Sequence, residues 1–209
     1  VCRAYLPVEV AHSTEARNRQ TNELVDLWPA SDYATVRLRF EQAKRSLEAS
    51  QHFARLKSAL TSVAVPPGID KIIALGCSTM TWVDHDTAMR PMAQHILALT
   101  VRDLLASRYA TGRQGEGVRE IKCYAQDPIY TPVDEQVLGE AGFTVVDDPR
   151  AFLEVDGSSV VIAIAPDIPT RQIVADIARP AIMIWEKFPV ADIDRFEQTT
   201  LPLLASGSL

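Results

Sequence analysis

From Lys71 onward the chain alternates short apolar runs with longer stretches of helical spacing, and this alternation limits the fold more than any other feature. The runs are Lys71–Leu75 (KIIAL), Glu120–Ala125 (EIKCYA), Phe143–Val146 (FTVV), Ser158–Ala165 (SSVVIAIA) and Ala181–Trp185 (AIMIW). Helices are predicted over Ala88–Tyr109, Pro132–Ala141 and Pro169–Ala178, with a short helix or turn over Pro149–Val155 and a last helix over Val190–Leu204. Pro91 then falls in the first turn of its helix, where the missing N–H does no harm. Such alternation argues for a parallel sheet with helices on both faces. Strands buried on both faces need apolar residues at nearly every position, as these runs have. The predicted fold is α/β and Rossmann-like, with about five mainly parallel strands.

The first third of the chain reads differently. Residues 1–30 are mixed and polar, and are expected to be an arm with little structure of its own. Ser31-Asp32 can cap a helix over Tyr33–Val63, along which Val36, Phe40, Ala43, Leu47, Phe53, Leu56 and Leu60 recur near helical spacing. The phase shifts around Ser50, which allows two helices with a break. Pro66-Pro67-Gly68 ends the helical region. The expected organisation is an arm and helical extension over 1–66, then a Rossmann-like domain over 67–209.

Composition narrows the functional classes. The 209 residues include 47% hydrophobic ones, enough to bury a core. No apolar run approaches the roughly 20 residues a membrane helix needs. The start, Val1-Cys2-Arg3-Ala4, shows no basic-then-apolar leader pattern, and without Met it reads as a trimmed terminus. Three scattered cysteines (Cys2, Cys77, Cys123) do not suggest a disulfide framework, so a reducing, cytoplasmic setting is expected. No Cys/His cluster has zinc spacing, and no metal is expected. The dinucleotide fingerprint and the phosphate-loop motif are both absent, so NAD, FAD and ATP lose support and no cofactor is expected.

The formal charge of −6 is unevenly spread. Residues 1–115 hold 14 Lys and Arg against 11 Asp and Glu, whereas residues 116–209 hold 7 against 16. Val36–Leu60 has 6 basic residues against 2 acidic. That stretch is either a solvated helix face or a basic arm that meets phosphates.

In open α/β sheets ligands bind beyond the carboxyl ends of the strands. The residues following the five runs are Gly76-Cys77-Ser78-Thr79, Gln126-Asp127-Pro128, Asp147-Asp148-Pro149, Pro166-Asp167 and Glu186-Lys187. Asp and Pro also collect there as turn formers and helix caps. As a set, however, the carboxylates suit a cationic ligand, above all a guanidinium, which pairs bidentately with them. Ser78 is either a nucleophile lifted into the site or a turn residue. A nucleophile needs an activating base, for which His85 and His95 are candidates. Cys77 and Cys123 read as packed residues. Tyr130 reads as packing or as a pocket wall, and Trp185 as a pocket wall.

Several of these pieces occur together in a known family. Leu75-Gly76-Cys77-Ser78, Arg90 with Gln94-His95, Cys123-Tyr124-Ala125-Gln126-Asp127-Pro128-Ile129-Tyr130 and the Asp134, Leu138, Gly142 spacing carry the likeness. Ala165-Pro166-Asp167-Ile168-Pro169, Gln172-Ile173 and Arg179-Pro180-Ala181 extend it. Over Lys71–Glu186 the chain resembles the sensitivity-to-red-light-reduced-like domain family in its fungal form. Plant and animal members have Pro-His-Cys where Pro166-Asp167-Ile168 stands here, so their His/Cys chemistry and haem association are not carried over. One similar fungal group makes arginine-containing cyclodipeptides from aminoacyl-tRNAs.

The resemblance implies natural-product synthesis from arginyl-tRNA and a second aminoacyl-tRNA. Asp127, Asp167 and Glu186 would hold the guanidinium, with Gln126 and Trp185 completing the substrate site. Ser78 would accept the first acyl group, and His95 or Tyr130 would move protons. Arg37, Arg39, Lys44 and Arg45 would meet tRNA phosphates. The sequence leaves a homodimer open. The alternative reading is a non-catalytic regulatory or ligand-binding module. A weaker third is a small-molecule hydrolase or isomerase using Ser78 and His85.

Overall fold

The computed structural model describes residues 16–17, 20–21, 24–25, 30–112, 120–164 and 166–185. Two short strands, β1 (Ala16–Arg17) and β2 (Leu24–Val25), pair antiparallel, and Ala30 bridges to Trp82. Of the two arrangements the spacing allowed, the helical extension has two helices with a break: α1 (Tyr33–Glu48) and α2 (Gln51–Ser62). Asp32 caps α1 by accepting the Thr35 N–H at 2.8 Å. The break falls where the hydrophobic phase shifts. There Ser50 accepts the Phe53 N–H at 3.1 Å and donates its hydroxyl to the Leu47 carbonyl at 2.8 Å. One serine thus serves both helix ends.

Five strands form the main sheet: β3 (Lys71–Leu75), β4 (Lys122–Gln126), β5 (Phe143–Val145), β6 (Ser159–Ala163) and β7 (Ile182–Trp185). Their order is β5-β4-β3-β6-β7, and every pairing is parallel. The connecting helices are α3 (His85–Gly112), α4 (Pro132–Glu140), α5 (Arg150–Leu153) and α6 (Thr170–Ile177). The α/β, Rossmann-like expectation with an N-terminal helical region is met. The expected helix over 190–204 lies outside the described residues.

α3 starts three residues earlier than the spacing suggested. Asp84 caps it, accepting the Thr87 N–H at 2.7 Å and the Thr87 hydroxyl at 2.6 Å. Pro91 therefore lies inside the helix, not in its first turn. A proline there cannot donate to the carbonyl four residues back.

The sheet's two faces fill separate cores. One holds Ile72, Ala74, Val160 and Ile162 with α3, α4 and the helical extension; the other holds Ile73, Leu75, Val161 and Ala163 with Phe152 and Val174. Val36, Phe40, Ala43 and Phe53 belong to the first core, so α1 and α2 pack with the sheet as one body.

Candidate functional site

The strand order fixes where a site can open. From β3 the chain crosses to β4 on one side, and from β6 to β7 on the other, so the loops beyond β3 and β6 diverge. This is the switch point at which parallel sheets bind ligands. A cleft of about 410 Å³ lies there, lined by Gly76, Ser78, Asp127, Asp148 and Asp167 from the strand ends and by Arg90 and Gln94 from α3. Gly76 sets its floor. At φ +65° it has a conformation that L side chains rarely adopt, and a Cβ would stand 2.9 Å from the Pro166 Cβ.

Ser78 is held in a conformation unusual for serine, with φ +68°. Its N–H donates to Asp127 Oδ2 at 2.7 Å, and Asp127 Oδ1 accepts the Ile129 N–H at 3.1 Å. Asp127 lines the cleft, but both its oxygens hold backbone amides. It joins the loops after β3 and β4. The partner of Ser78 Oγ is a long contact, 3.5 Å from Trp82 Nε1.

A buried polar network lies next to this loop. Asp134 is fully buried and accepts the Thr79 hydroxyl at 2.6 Å, the Met80 N–H at 2.7 Å, the Thr131 N–H at 2.8 Å and the Thr131 hydroxyl at 2.9 Å. The Thr131…Asp134 spacing is a capping box that also anchors the loop after β3. That spacing was visible in the sequence, but its reach to Thr79 and Met80 was not.

His95 is likewise fully buried. Its Nδ1–H donates to the Pro91 carbonyl at 2.7 Å, and its Nε2 accepts the Tyr130 hydroxyl, also at 2.7 Å. Burial lowers its pKa to about 4, so the ring is neutral, and burial raises that of Tyr130. Neither residue lines the cleft, and no hydrogen bond links His95 to Ser78 among the described residues. His85 is exposed beside Asp86, 3.3 Å away. Cys77 is buried, its pKa pushed up to about 12 by burial and by Asp127; burial raises that of Cys123 to about 11. Both thiols stay protonated near neutral pH.

The remaining predicted residues divide in the same way. Gln126 is buried, donating to Asp148 Oδ1 at 2.7 Å and accepting the Ala151 N–H at 2.7 Å, so it braces the loop after β5. Asp167 is exposed at the cleft and has no hydrogen bond or ion pair among the described residues. The Arg171 guanidinium lies over Trp185, 4.2 Å from the ring centre, and neither lines the cleft. Glu186 lies outside the described residues. Asp148, Arg90 and Gln94 line the cleft, though the sequence gave none of them a role of its own in the site. Only the strand-end position of Asp148 and the family likeness of Arg90 and Gln94 pointed to them.

The four basic residues of α1 have different surroundings. Arg39 Nη1 donates to Ser31 Oγ at 3.3 Å and to the Trp82 and Val83 carbonyls at 3.2 and 3.4 Å. Arg37 pairs with Glu140 at 3.5 Å, whose carboxylate also accepts the Tyr33 hydroxyl. Lys44 is half-buried and Arg45 exposed.

A family model described as the SRR1 domain matches residues 50–204, well over half of the chain. The chain belongs to the SRR1 domain family. No curated protein and no solved structure matches it. The part matched as SRR1 domain begins at Ser50, the cap of α2, so it takes in α2 with the sheet and every residue lining the cleft. No helix among the described residues is long and apolar enough to cross a membrane, and none of their His, Cys, Asp and Glu form a group that could hold a metal ion. As placed, the cleft of this SRR1 domain can hold a cationic group against Asp148 and Asp167 and present a hydroxyl to it.

Proposed function

We propose that this SRR1 domain is an arginine-containing cyclodipeptide synthase, drawing on arginyl-tRNA and a second aminoacyl-tRNA. The observation that carries the reading is Ser78, held in a left-handed conformation in the switch-point cleft beside Asp148 and Asp167. The carboxylates offer a guanidinium its preferred partners. An aminoacyl ester is already activated, so the reaction needs neither a nucleotide site nor a cofactor.

Ser78 Oγ attacks the arginyl ester carbonyl, and the tRNA 3′-oxygen leaves with a proton. The amine of the second aminoacyl-tRNA then attacks the seryl ester, forming a peptide bond and freeing Ser78. The arginine amine finally attacks the second ester carbonyl, which closes the ring and releases the second tRNA. The Tyr130–His95 pair is the proton-moving unit of this reading, a hydroxyl bonded to a neutral imidazole behind the cleft lining. Incubation with arginyl-tRNA and each other aminoacyl-tRNA, read by mass spectrometry, tests the reading. Arginine-containing cyclic dipeptides are expected, and their absence with every pairing overturns it.

One observation favours a non-catalytic ligand-binding module. Ser78 Oγ has no base among its hydrogen-bond partners in the described residues. A protein that binds argininamide but forms no product and no acyl-enzyme supports that alternative.

A further inference from the structure

We infer that the second aminoacyl group carries an apolar side chain, seated in the chamber between α2 and α3. This rests on the cyclodipeptide reading, and it names a substrate class that the reading leaves open.

The chamber has a volume of about 350 Å³, and its apolar walls are Leu47 from α1, Phe53 and Leu56 from α2, and Ala93 and Leu97 from α3. It shares Arg90, Gln94 and Ile164 with the switch-point cleft. The two spaces therefore adjoin along one wall. Closing a cyclic dipeptide requires this, because each amine must reach the other residue's carbonyl. One space is carboxylate-lined and the other apolar, so they suit two different side chains.

The shared wall carries two polar groups that the fold leaves unused. Gln94 Oε1 is buried and has no hydrogen-bond partner among the described residues. A buried acceptor without a donor is costly, and the amine or amide N–H of a bound aminoacyl group supplies one. Arg90 has no ion pair or hydrogen bond among the described residues. Arg90 lines both spaces, but only the cleft has carboxylates to offset its charge, so a cationic side chain is disfavoured in the chamber and suited to the cleft. The other polar residue of the chamber, Ser50, has its hydroxyl committed to the two helix ends. Arg90 is the charged residue of the lining and stands at the junction with the cleft; apart from it, Gln94 and Ser50 the wall is apolar, so the body of the chamber suits an apolar side chain.

Two measurements on the full chain test this. In the first, arginyl-tRNA competes with alanyl-, leucyl-, phenylalanyl- and glutamyl-tRNA, and mass spectrometry gives the product ratios. Leucine and phenylalanine products are expected to exceed the glutamate product. Filling the chamber by Ala93→Phe or Leu56→Trp, on different helices, is expected to lower them about tenfold relative to the alanine product, the scale of a pocket misfit. In the second, L-phenylalaninamide is titrated into the protein and protein NMR shifts are followed. Both variants are expected to weaken its binding about tenfold, with argininamide failing to displace it.

If no cyclic dipeptide forms but phenylalaninamide binding responds to both variants, the reaction is wrong and the apolar subsite stands. If glutamate is the preferred partner, or neither variant alters partner choice or phenylalaninamide binding, the subsite is overturned. Circular dichroism confirms that each variant is folded.

Discussion

The Ser78 amide donates to the Asp127 carboxylate at 2.7 Å, tying the loop after the first strand of the sheet to the loop after its neighbour. The bond holds Ser78 at φ +68°, which keeps its side chain in the cleft. An aspartate that the sequence suggested for guanidinium binding thus also fixes the nucleophile candidate.

Replacing Ser78 separates its conformation from its chemistry. Glycine adopts a left-handed backbone without strain, so Ser78→Gly is expected to raise stability by about 1 kcal/mol in urea unfolding. The same variant, like Ser78→Ala, is expected to abolish cyclic dipeptide and any trapped acyl-enzyme. Full turnover by either variant would mean direct transfer between the two tRNAs.

Asp134→Ala removes the shared acceptor of four donors in a fully buried network. Leaving the Met80 and Thr131 amides and two hydroxyls short of a partner is expected to cost about 3 kcal/mol, seen as a lower urea midpoint. A loss under about 1 kcal/mol would show that water or rearrangement satisfies those donors.

His95 links stability to pH. Its pKa falls from 6.5 to about 4 in the folded protein, chiefly through burial. Between those values the unfolded chain binds a proton that the folded chain does not. The contribution is therefore complete above pH 6.5 and is lost as pH falls towards 4, by about 1.4 kcal/mol per pH unit. Unfolding of the wild type and of His95→Phe across this range checks the point. The variant is expected to lack that part of the slope.

The basic residues of α1 are expected to divide into structural and surface groups. Arg39→Ala removes bonds to the Trp82 and Val83 carbonyls and is expected to cost about 1 kcal/mol of stability. Neutralising Arg37, Lys44 and Arg45 together is expected to change stability by no more than about 1 kcal/mol, since the Arg37–Glu140 pair is exposed. If this face meets tRNA, the triple variant also weakens tRNA binding and flattens its salt dependence. An unchanged salt slope would place the tRNA elsewhere.

The fold was largely legible because its signals are local. Each apolar run of the sheet became a strand, and the phase shift at Ser50 marked the break between α1 and α2. α3 starts before its apolar spacing does because Asp84 acts through a side-chain cap, which apolar spacing does not reveal. The position of the site followed from the strand-end rule, and Ser78, Asp127 and Asp167 do line the cleft. The partners of these residues were not legible. That Asp127 holds the Ser78 amide, or that His95 faces Tyr130 and not Ser78, depends on which loops the strand order makes neighbours.

Gly76 has a further consequence. Because it lacks a side chain, Pro166 from the loop after β6 can pack against the end of β3, in the space that a Cβ would fill. A residue with no side chain to offer a ligand thereby helps to set the shape of the cleft. Any side chain there would act as a wedge against Pro166, reshaping the cleft while its other lining side chains keep their chemistry.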